Sequence, residues 1–255
     1  MISVVVCGAL GKMGRIVVDE IAGSDGLALA GAVEAPDHPG LGSKLGAVEV
    51  TADLAAALAR ANVVVDFTNP KAALANIAAA EAAGKAAIVG TTGLSADELA
   101  AARKAAARIP LIISPNMSSG VNLLFKVAEE VARALPDFDV EIVEMHHNKK
   151  KDSPSGTAAK LADAVAKARP GSNVIHGREG MLGARPAGEI AVHALRGGDV
   201  VGEHTIVFAG EGERFELTHR AHSRRTFARG TLRAIRFIHG KAPGLYTMAD
   251  VIGLK

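Results

Sequence analysis

The chain is 255 residues long, 49% hydrophobic and 3% aromatic, with a formal net charge of +2 and one cysteine. That length holds one large domain or two modest ones around an aliphatic, alanine-rich core, and the near-neutral charge offers no basic field for nucleic acid. Cys7 alone permits no disulfide within the chain and no cysteine-cluster metal site, no metal site is expected elsewhere, and no apolar run reaches the roughly 18–20 residues that span a bilayer.

The opening Met1-Ile-Ser-Val-Val-Val6 lacks the basic residues of a signal-peptide start. A cytoplasmic protein without a membrane partner is therefore expected. Residues 2–6 are a β-branched run of the kind buried on both faces of a sheet. Gly8-Ala-Leu-Gly11-Lys-Met-Gly14 follows, then a helical segment over 15–22 and a second strand over 27–33 that ends at Glu34. This is a βαβ unit with a glycine-rich first turn. Glycines let the backbone approach a pyrophosphate, whose charge sits at the helix N-terminus, and an acid about 20 residues on can accept from ribose hydroxyls. The spacing is GxxGxxG rather than GxGxxG, and a glycine triplet alone fits a plain tight turn equally well. Here strand, helix, second strand and terminal acid all fall in place, which points to a dinucleotide.

The alternation continues with a strand over 63–66, a helix over 70–83, and a strand over 86–89 that ends in Gly90-Thr-Thr-Gly93. Ser95 is placed to cap a helix over 96–108, with Glu98 completing a capping box. A strand over 111–113 ends in Ser114-Pro-Asn116. Three strand ends thus carry small polar or glycine residues, where ligands bind in an open parallel sheet. The candidate cofactor residues are Gly8, Leu10, Gly11, Lys12, Met13, Gly14, Glu34, Phe67, Thr68, Gly90, Thr91, Thr92, Ser114, Asn116 and Met117.

After about residue 117 the pattern changes. A helix over 121–135 precedes an alternating strand over 139–145. A helix over 158–168 comes next, and then strands over 189–195, 200–208 and 213–219 with glycine-rich turns between them, the patterning of an antiparallel sheet. A last helix over 226–238 is of the kind that packs back on the first domain. The expected fold class is α/β: an N-terminal Rossmann-type parallel-sheet domain over 1–116 and 224–255, and an α+β domain over 117–223 whose sheet is mostly antiparallel.

The most informative segment is Glu144-Met-His-His-Asn-Lys-Lys-Lys-Asp-Ser-Pro-Ser-Gly-Thr157. Adjacent histidines offer a proton near neutral pH, three lysines concentrate positive charge, and Ser155-Gly156-Thr157 opens a helix whose free N–H groups suit an anion. A lysine run by itself is usually a solvated face, and one histidine of such a pair can serve only local hydrogen bonds. The combination looks like a site for a small, multiply anionic substrate that needs a proton. His193, His204, His219 and His222 read as interior or interface residues, and Arg224 is a further candidate for the cofactor.

Gly8-Ala-Leu-Gly-Lys-Met-Gly-Arg15, Asp66-Phe-Thr68, Gly90-Thr-Thr-Gly93, Glu144-Met-His-His147, Ser153-Pro-Ser-Gly-Thr157, Gly177-Arg-Glu-Gly180, Gly202-Glu-His-Thr205 and Thr226-Phe-Ala228 occur in one order along nearly the whole chain. In these motifs the chain resembles the 4-hydroxy-tetrahydrodipicolinate (dihydrodipicolinate) reductases, NAD(P)H enzymes of the diaminopimelate route to lysine. The resemblance implies that His146 donates the proton with Lys150 as its catalytic partner. His147, Ser155, Gly156 and Thr157 would bind a small dicarboxylate substrate. It further implies a homotetramer built through the sheets of the second domain, which becomes the substrate-binding and tetramerisation domain. Ala35 and Asn69 stand where better-known members often carry arginines that help hold a cofactor phosphate. Both NADH and NADPH are expected to serve, with NADH used at least as well. Another two-domain dehydrogenase of a small carboxylic acid, or a non-catalytic dinucleotide sensor, are the competing readings. Neither needs both the histidine pair and the Ser-Gly-Thr turn.

Overall fold

Val4, Val5 and Val6 of the first apolar run are fully buried in strand β1 (Ile2–Cys7), as a β-branched strand with both faces covered requires. In the computed structural model, which describes residues 1–254, Met1–Ser119 and the segment from Arg224 onward make one unit, and Gly120–Ser223 a second.

In the first unit, β1 leads through the glycine turn into helix α1 (Lys12–Ala22) and strand β2 (Leu27–Val33). Strands β3 (Lys44–Leu45) and β4 (Val48–Thr51), helix α2 (Leu54–Leu58), strand β5 (Val63–Asp66) and helix α3 (Pro70–Ala82) follow. Strand β6 (Ala86–Val89), helix α4 (Ala96–Lys104) and strand β7 (Pro110–Ile113) complete the first pass. The eight-stranded sheet runs β13-β7-β6-β5-β1-β2-β4-β3, where β13 (Gly244–Tyr246) comes from the C-terminal segment. Every pairing is parallel except β3 with β4.

Alternate residues of the central strands face two cores. Val4, Val6, Val63 and Val65 pack with α1 and with the C-terminal helices α7 (Arg225–Ile238) and α8 (Met248–Val251). Val5, Cys7, Val64 and Val89 pack with α2, α3 and α4. Helix α7 packs on α1 in this unit, and it also lies close against the segment after β7: a Cβ on Gly230 would lie 1.8 Å from the Met117 carbonyl oxygen.

The second unit holds helix α5 (Ser119–Ala134), strand β8 (Asp139–His146), helix α6 (Gly156–Ala168) and strands β9 (Asn173–His176), β10 (Glu189–Arg196), β11 (Gly202–Gly210) and β12 (Glu213–Ala221). Its sheet order is β12-β11-β8-β10-β9. β11 runs antiparallel to both β8 and β12, so the antiparallel patterning over 200–219 is realised there. β10 instead lies parallel to β8 and β9, because β8 is inserted between β10 and β11. Val140, Ile142, Ile190, Val192, Ile206 and Phe208 pack with α5 and α6 on one face. Residues that alternate with them, including Glu141, Val143 and Met145, form the other.

The Ser95–Glu98 capping box is present, with both reciprocal bonds made. The helix that it opens ends at Lys104 and gives way to a 3-10 turn over Ala105–Ala107. Asn69 caps α3, accepting the Ala72 N–H at 3.1 Å ahead of Pro70.

Candidate active site

The four neighbouring strands β1, β5, β6 and β7 end on one edge of the first sheet, and the candidate cofactor residues other than Glu34, which follows β2, sit in the turns after them. Gly8 has φ of +74°, and a Cβ there would lie 2.5 Å from the Phe67 carbonyl oxygen. A Cβ on Gly14 would lie 1.9 Å from the Gly8 carbonyl oxygen, so only glycine lets α1 start this close to the turn. Gly11 caps α1 without a side-chain bond, and the first turn carries no acid. These are the requirements of a helix N-terminus that receives a phosphate. Lys12 is exposed beside it, and Met13 is half-buried.

Glu34, at the end of β2, accepts the Leu10 N–H through Oε1 at 2.6 Å. Phe67 lies against Gly90, where a Cβ would meet its ring at 2.2 Å. Thr68 and Thr91 are joined through the buried Asp66, whose carboxylate accepts from the Thr91 hydroxyl at 2.5 Å, the Thr68 hydroxyl at 3.0 Å and the Asn76 amide at 2.6 Å. Asp66 thus holds two of the three strand-end turns together. Ser114 Oγ donates to the Asn116 carbonyl at 2.8 Å, Thr92 is exposed, and Met117 is a core residue with 2% exposure. Arg224, just before α7, is exposed.

In the second unit the histidine segment forms the end of β8. Strand alternation puts Glu144 and His146 on the helix-covered face, in line with Val140 and Ile142. Glu144 has no exposed surface and makes four bonds. Arg196 donates to both oxygens at 2.8 and 2.9 Å, His146 Nδ1 lies 2.6 Å from Oε2, and the Ser155 N–H donates to Oε1 at 2.8 Å. Ser155 also caps α6, accepting the Ala158 N–H at 3.1 Å, and its Oγ lies 3.1 Å from His204 Nε2. The His204 ring meets that of His146 edge to face, with centroids 5.2 Å apart.

Burial works to raise the Glu144 carboxyl, but Arg196, His146 and the Ser155 N–H outweigh it and hold the group below the usual carboxylate range. Burial pushes His146 below the usual histidine range. Glu144 opposes that shift, while Lys150 and Arg196 add to it. Burial, and then the neighbouring His146, push His204 down to about 3, so His204 is neutral across the ordinary pH range.

Lys150 is the shielded one of the three lysines, its side chain 19% exposed, whereas Lys149 and Lys151 are open to solvent. Its Nζ pairs with Asp152 at 2.8 Å. Gly156 and Thr157 form the first turn of α6, adjoining Ser155. His147 is tied down by its backbone, which donates to the Val200 carbonyl at 2.7 Å, and its Nδ1 is buried without a partner. The unit therefore sets an imidazole and a helix N-terminus on one buried carboxylate, with the Lys150 ammonium close enough to act on the imidazole. That arrangement can hold an anion and deliver a proton to it.

Glu144, Arg196, His204 and Asp66 were not among the candidates read from the sequence. Glu144 had a signal: two residues before His146 on an alternating strand, it must share His146's face among apolar neighbours. Arg196 and His204 reach the site only through strand pairing, Arg196 opposite His146 and His204 opposite Glu144.

Residues 2–117 match the family model "Dihydrodipicolinate reductase, N-terminus", and residues 120–252 match "Dihydrodipicolinate reductase, C-terminus". The chain is 51% identical to the 4-hydroxy-tetrahydrodipicolinate reductase of Anaeromyxobacter sp. (strain Fw109-5), over 100% of this chain and 99% of that protein. It is 48% identical to the enzyme of the same name from Anaeromyxobacter dehalogenans (strain 2CP-1), with the same coverage. The solved structure of the dipicolinate-bound dihydrodipicolinate reductase from Paenisporosarcina sp. TG-14 superposes with a TM-score of 0.82 at 29% identity, over 98% of each chain. With both halves matched and the full length aligned to curated reductases, the chain belongs to the dihydrodipicolinate reductase family.

Proposed function

We propose that this NAD(P)H-dependent oxidoreductase reduces 4-hydroxy-tetrahydrodipicolinate, or the cyclic imine formed by its dehydration, to tetrahydrodipicolinate in the diaminopimelate route to lysine. His146 donates the proton. Lys150 faces one carboxylate of the substrate, while His147, Ser155, Gly156 and Thr157 hold the other at the start of α6. Such a reduction needs a hydride on one atom and a proton on another. The nicotinamide, when bound, supplies the hydride. The chain's own residues orient the dianion, neutralise it and place the proton. The observation that carries this reading is the packing of His146 and Ser155 on opposite oxygens of the same Glu144 carboxylate, with Lys150 alongside.

The first unit holds the dinucleotide, its pyrophosphate at the Gly11 end of α1 and its adenosine ribose at Glu34. The carboxylate of Glu34 disfavours a 2′-phosphate, and neither Ala35 nor Asn69 offers a compensating cation. This supports use of NADH at least as well as NADPH. A homotetramer built on the face of the second sheet away from α5 and α6 is supported by Val143, Met145 and Leu195 on that face, Leu195 being 44% exposed. Cytoplasmic location is supported by the biosynthetic reductases to which the chain is similar.

The deciding assay couples aspartate semialdehyde and pyruvate, through the preceding synthase, to oxidation of NADH or of NADPH. Synthase-dependent oxidation is expected with both. Cofactor binding without any oxidation would leave a dinucleotide sensor as the better reading.

A further inference from the structure

Glu144, itself buried, does more than neutralise the half-buried Arg196. Its Oε2 meets His146 Nδ1 at 2.6 Å, and its Oε1 accepts the N–H of Ser155 at 2.8 Å. One rigid carboxylate therefore fixes both the ring that carries the proton and the turn that opens α6. Arg196 clamps it from β10 and donates in addition to the Asp152 carbonyl at 2.8 Å, which ties down the lysine loop. His204 closes the circuit from β11, with its ring edge on His146 and its Nε2 at Ser155 Oγ. On the far side of the imidazole, a Cβ on Gly202 would stand 3.0 Å from Nε2, so glycine at this position leaves that nitrogen accessible.

We propose that Glu144 is the positioning residue of the proton transfer: it holds His146 with Nδ1–H directed at the carboxylate and the transferable proton on Nε2, and Arg196 is its counter-ion. The proposal rests on the reading of His146 as the donor. In the transfer, the N–H bond at Nε2 breaks and the proton passes to the substrate. Nδ1 keeps its own proton against Glu144, which stays a carboxylate, and the ring regains a proton from water. The charged or titratable groups that face His146 are Glu144 on β8, Arg196 on β10, His204 on β11 and Lys150 in the following loop. Glu144 favours the imidazolium, and Arg196 opposes it.

The test is 15N NMR of the histidine-labelled full chain without substrate or cofactor, with the His146 signal assigned by its loss in His146→Gln. In the unmodified protein the neutral ring is expected to carry its proton on Nδ1. A neutral ring protonated on Nε2 would overturn the proposal without recourse to any variant. Glu144→Gln should move the His146 titration to lower pH by about one unit, with the limb of kcat that requires the protonated ring moving with it and kcat at pH 7.5 falling about 10- to 100-fold. Substrate KM should change little. Arg196→Gln should move the same titration to higher pH. The Nδ1–H tautomer, together with a kcat limb that follows the shifted titration in both variants, identifies a positioning role, whereas a kcat limb that stays in place while the ring's titration moves would leave Glu144 a structural carboxylate and refute it. Should His146→Gln retain wild-type kcat, the donor reading fails. The tautomer and the two shifts still report on Glu144 independently.

Discussion

Leu10 donates its backbone N–H to Glu34 Oε1 across 2.6 Å, so the acid at the end of β2 is bonded to the glycine turn itself. The carboxylate has two tasks there. It braces the turn ahead of α1, and it stands where a ribose 2′-OH can donate to it.

The first prediction follows for the cofactor. Glu34 repels a 2′-phosphate, Ala35 adds no cation, and Asn69 is occupied as the cap of α3. NADH should be used at least as well as NADPH. Ala35→Arg should shift the preference toward NADPH by offering a planar phosphate partner. Glu34→Ala should raise KM for both cofactors, because the Leu10 N–H loses its partner. The measurement is kcat/KM for each cofactor at one ionic strength. A tenfold or greater NADPH preference in the unmodified chain would sink the argument and point to Lys12.

A second prediction separates the three lysines. Lys150 is shielded and bonded to Asp152, whose carboxyl the ammonium holds below its usual range. Lys149 and Lys151 are exposed. Lys150→Ala should lower kcat/KM by about 30-fold or more, the lower end of what losing a desolvated charge partner costs. Lys149→Ala and Lys151→Ala should each stay within about threefold, as solvated charges do. Equal, small effects at all three positions would favour a plain basic loop.

The first unit was legible because its signals are local. β-branched runs, a glycine turn and a terminal acid specify β1, α1 and β2 within 34 residues. Ser95 with Glu98 marked one helix start correctly for the same reason. Strands β3, β4 and β9 and helices α2 and α8 are too short to show a period. In the second unit the elements were legible but their order was not. Nothing local says that β8 slides between β10 and β11, and that insertion alone brings Arg196 to His146 and His204 to Glu144. Thus His146 and Lys150 stood out in the sequence as chemistry, and Glu144 lies only two residues from His146, while Arg196 and His204, which complete its surroundings, lie 50 or more residues from His146.

The buried neutral His204 gives a pH prediction for stability. Its folded-state value lies near 3, far below the ordinary histidine range. Between those limits the unfolded chain binds a proton that the folded chain does not, so stability rises with pH. The contribution is complete above about pH 6.5 and is lost as pH falls toward 3; by pH 5 the loss is about 2 kcal/mol. His204→Gln should flatten the decline in urea midpoint between pH 7.5 and pH 5 relative to the unmodified chain. Parallel declines in the two proteins would show that His204 is protonated in the folded state.

The face of the second sheet away from α5 and α6 leads to a prediction about assembly. Val143 and Met145 on β8 and Leu195 on β10 alternate with residues of the core and point the other way. A homotetramer should form through this face, and Leu195→Glu should weaken it by setting like charges against one another. Sedimentation velocity at micromolar concentration checks both statements. A stable monomer of the unmodified chain at that concentration would rule the assembly out.

Two glycines should respond to the same substitution in opposite ways. Gly230 faces the Met117 carbonyl, and a Cβ would have to fit within 1.8 Å of that oxygen, between backbone atoms with nowhere to move. Gly230→Ala should therefore destabilise the first unit by about 1–3 kcal/mol, the range for overpacking a close-packed contact. Thermal unfolding would show it as a drop of several degrees. Gly156 opens α6, has open space around its Cα and does not occupy the left-handed region. Alanine is also the better helix former, so Gly156→Ala should leave the fold as stable as before or slightly more so. Its effect should fall on the substrate instead, because a methyl group at the start of α6 crowds the N–H groups that would receive a carboxylate. Substrate KM should rise while cofactor KM stays unchanged. A Gly156→Ala protein with wild-type substrate KM would mean that the anion binds elsewhere than at this helix start.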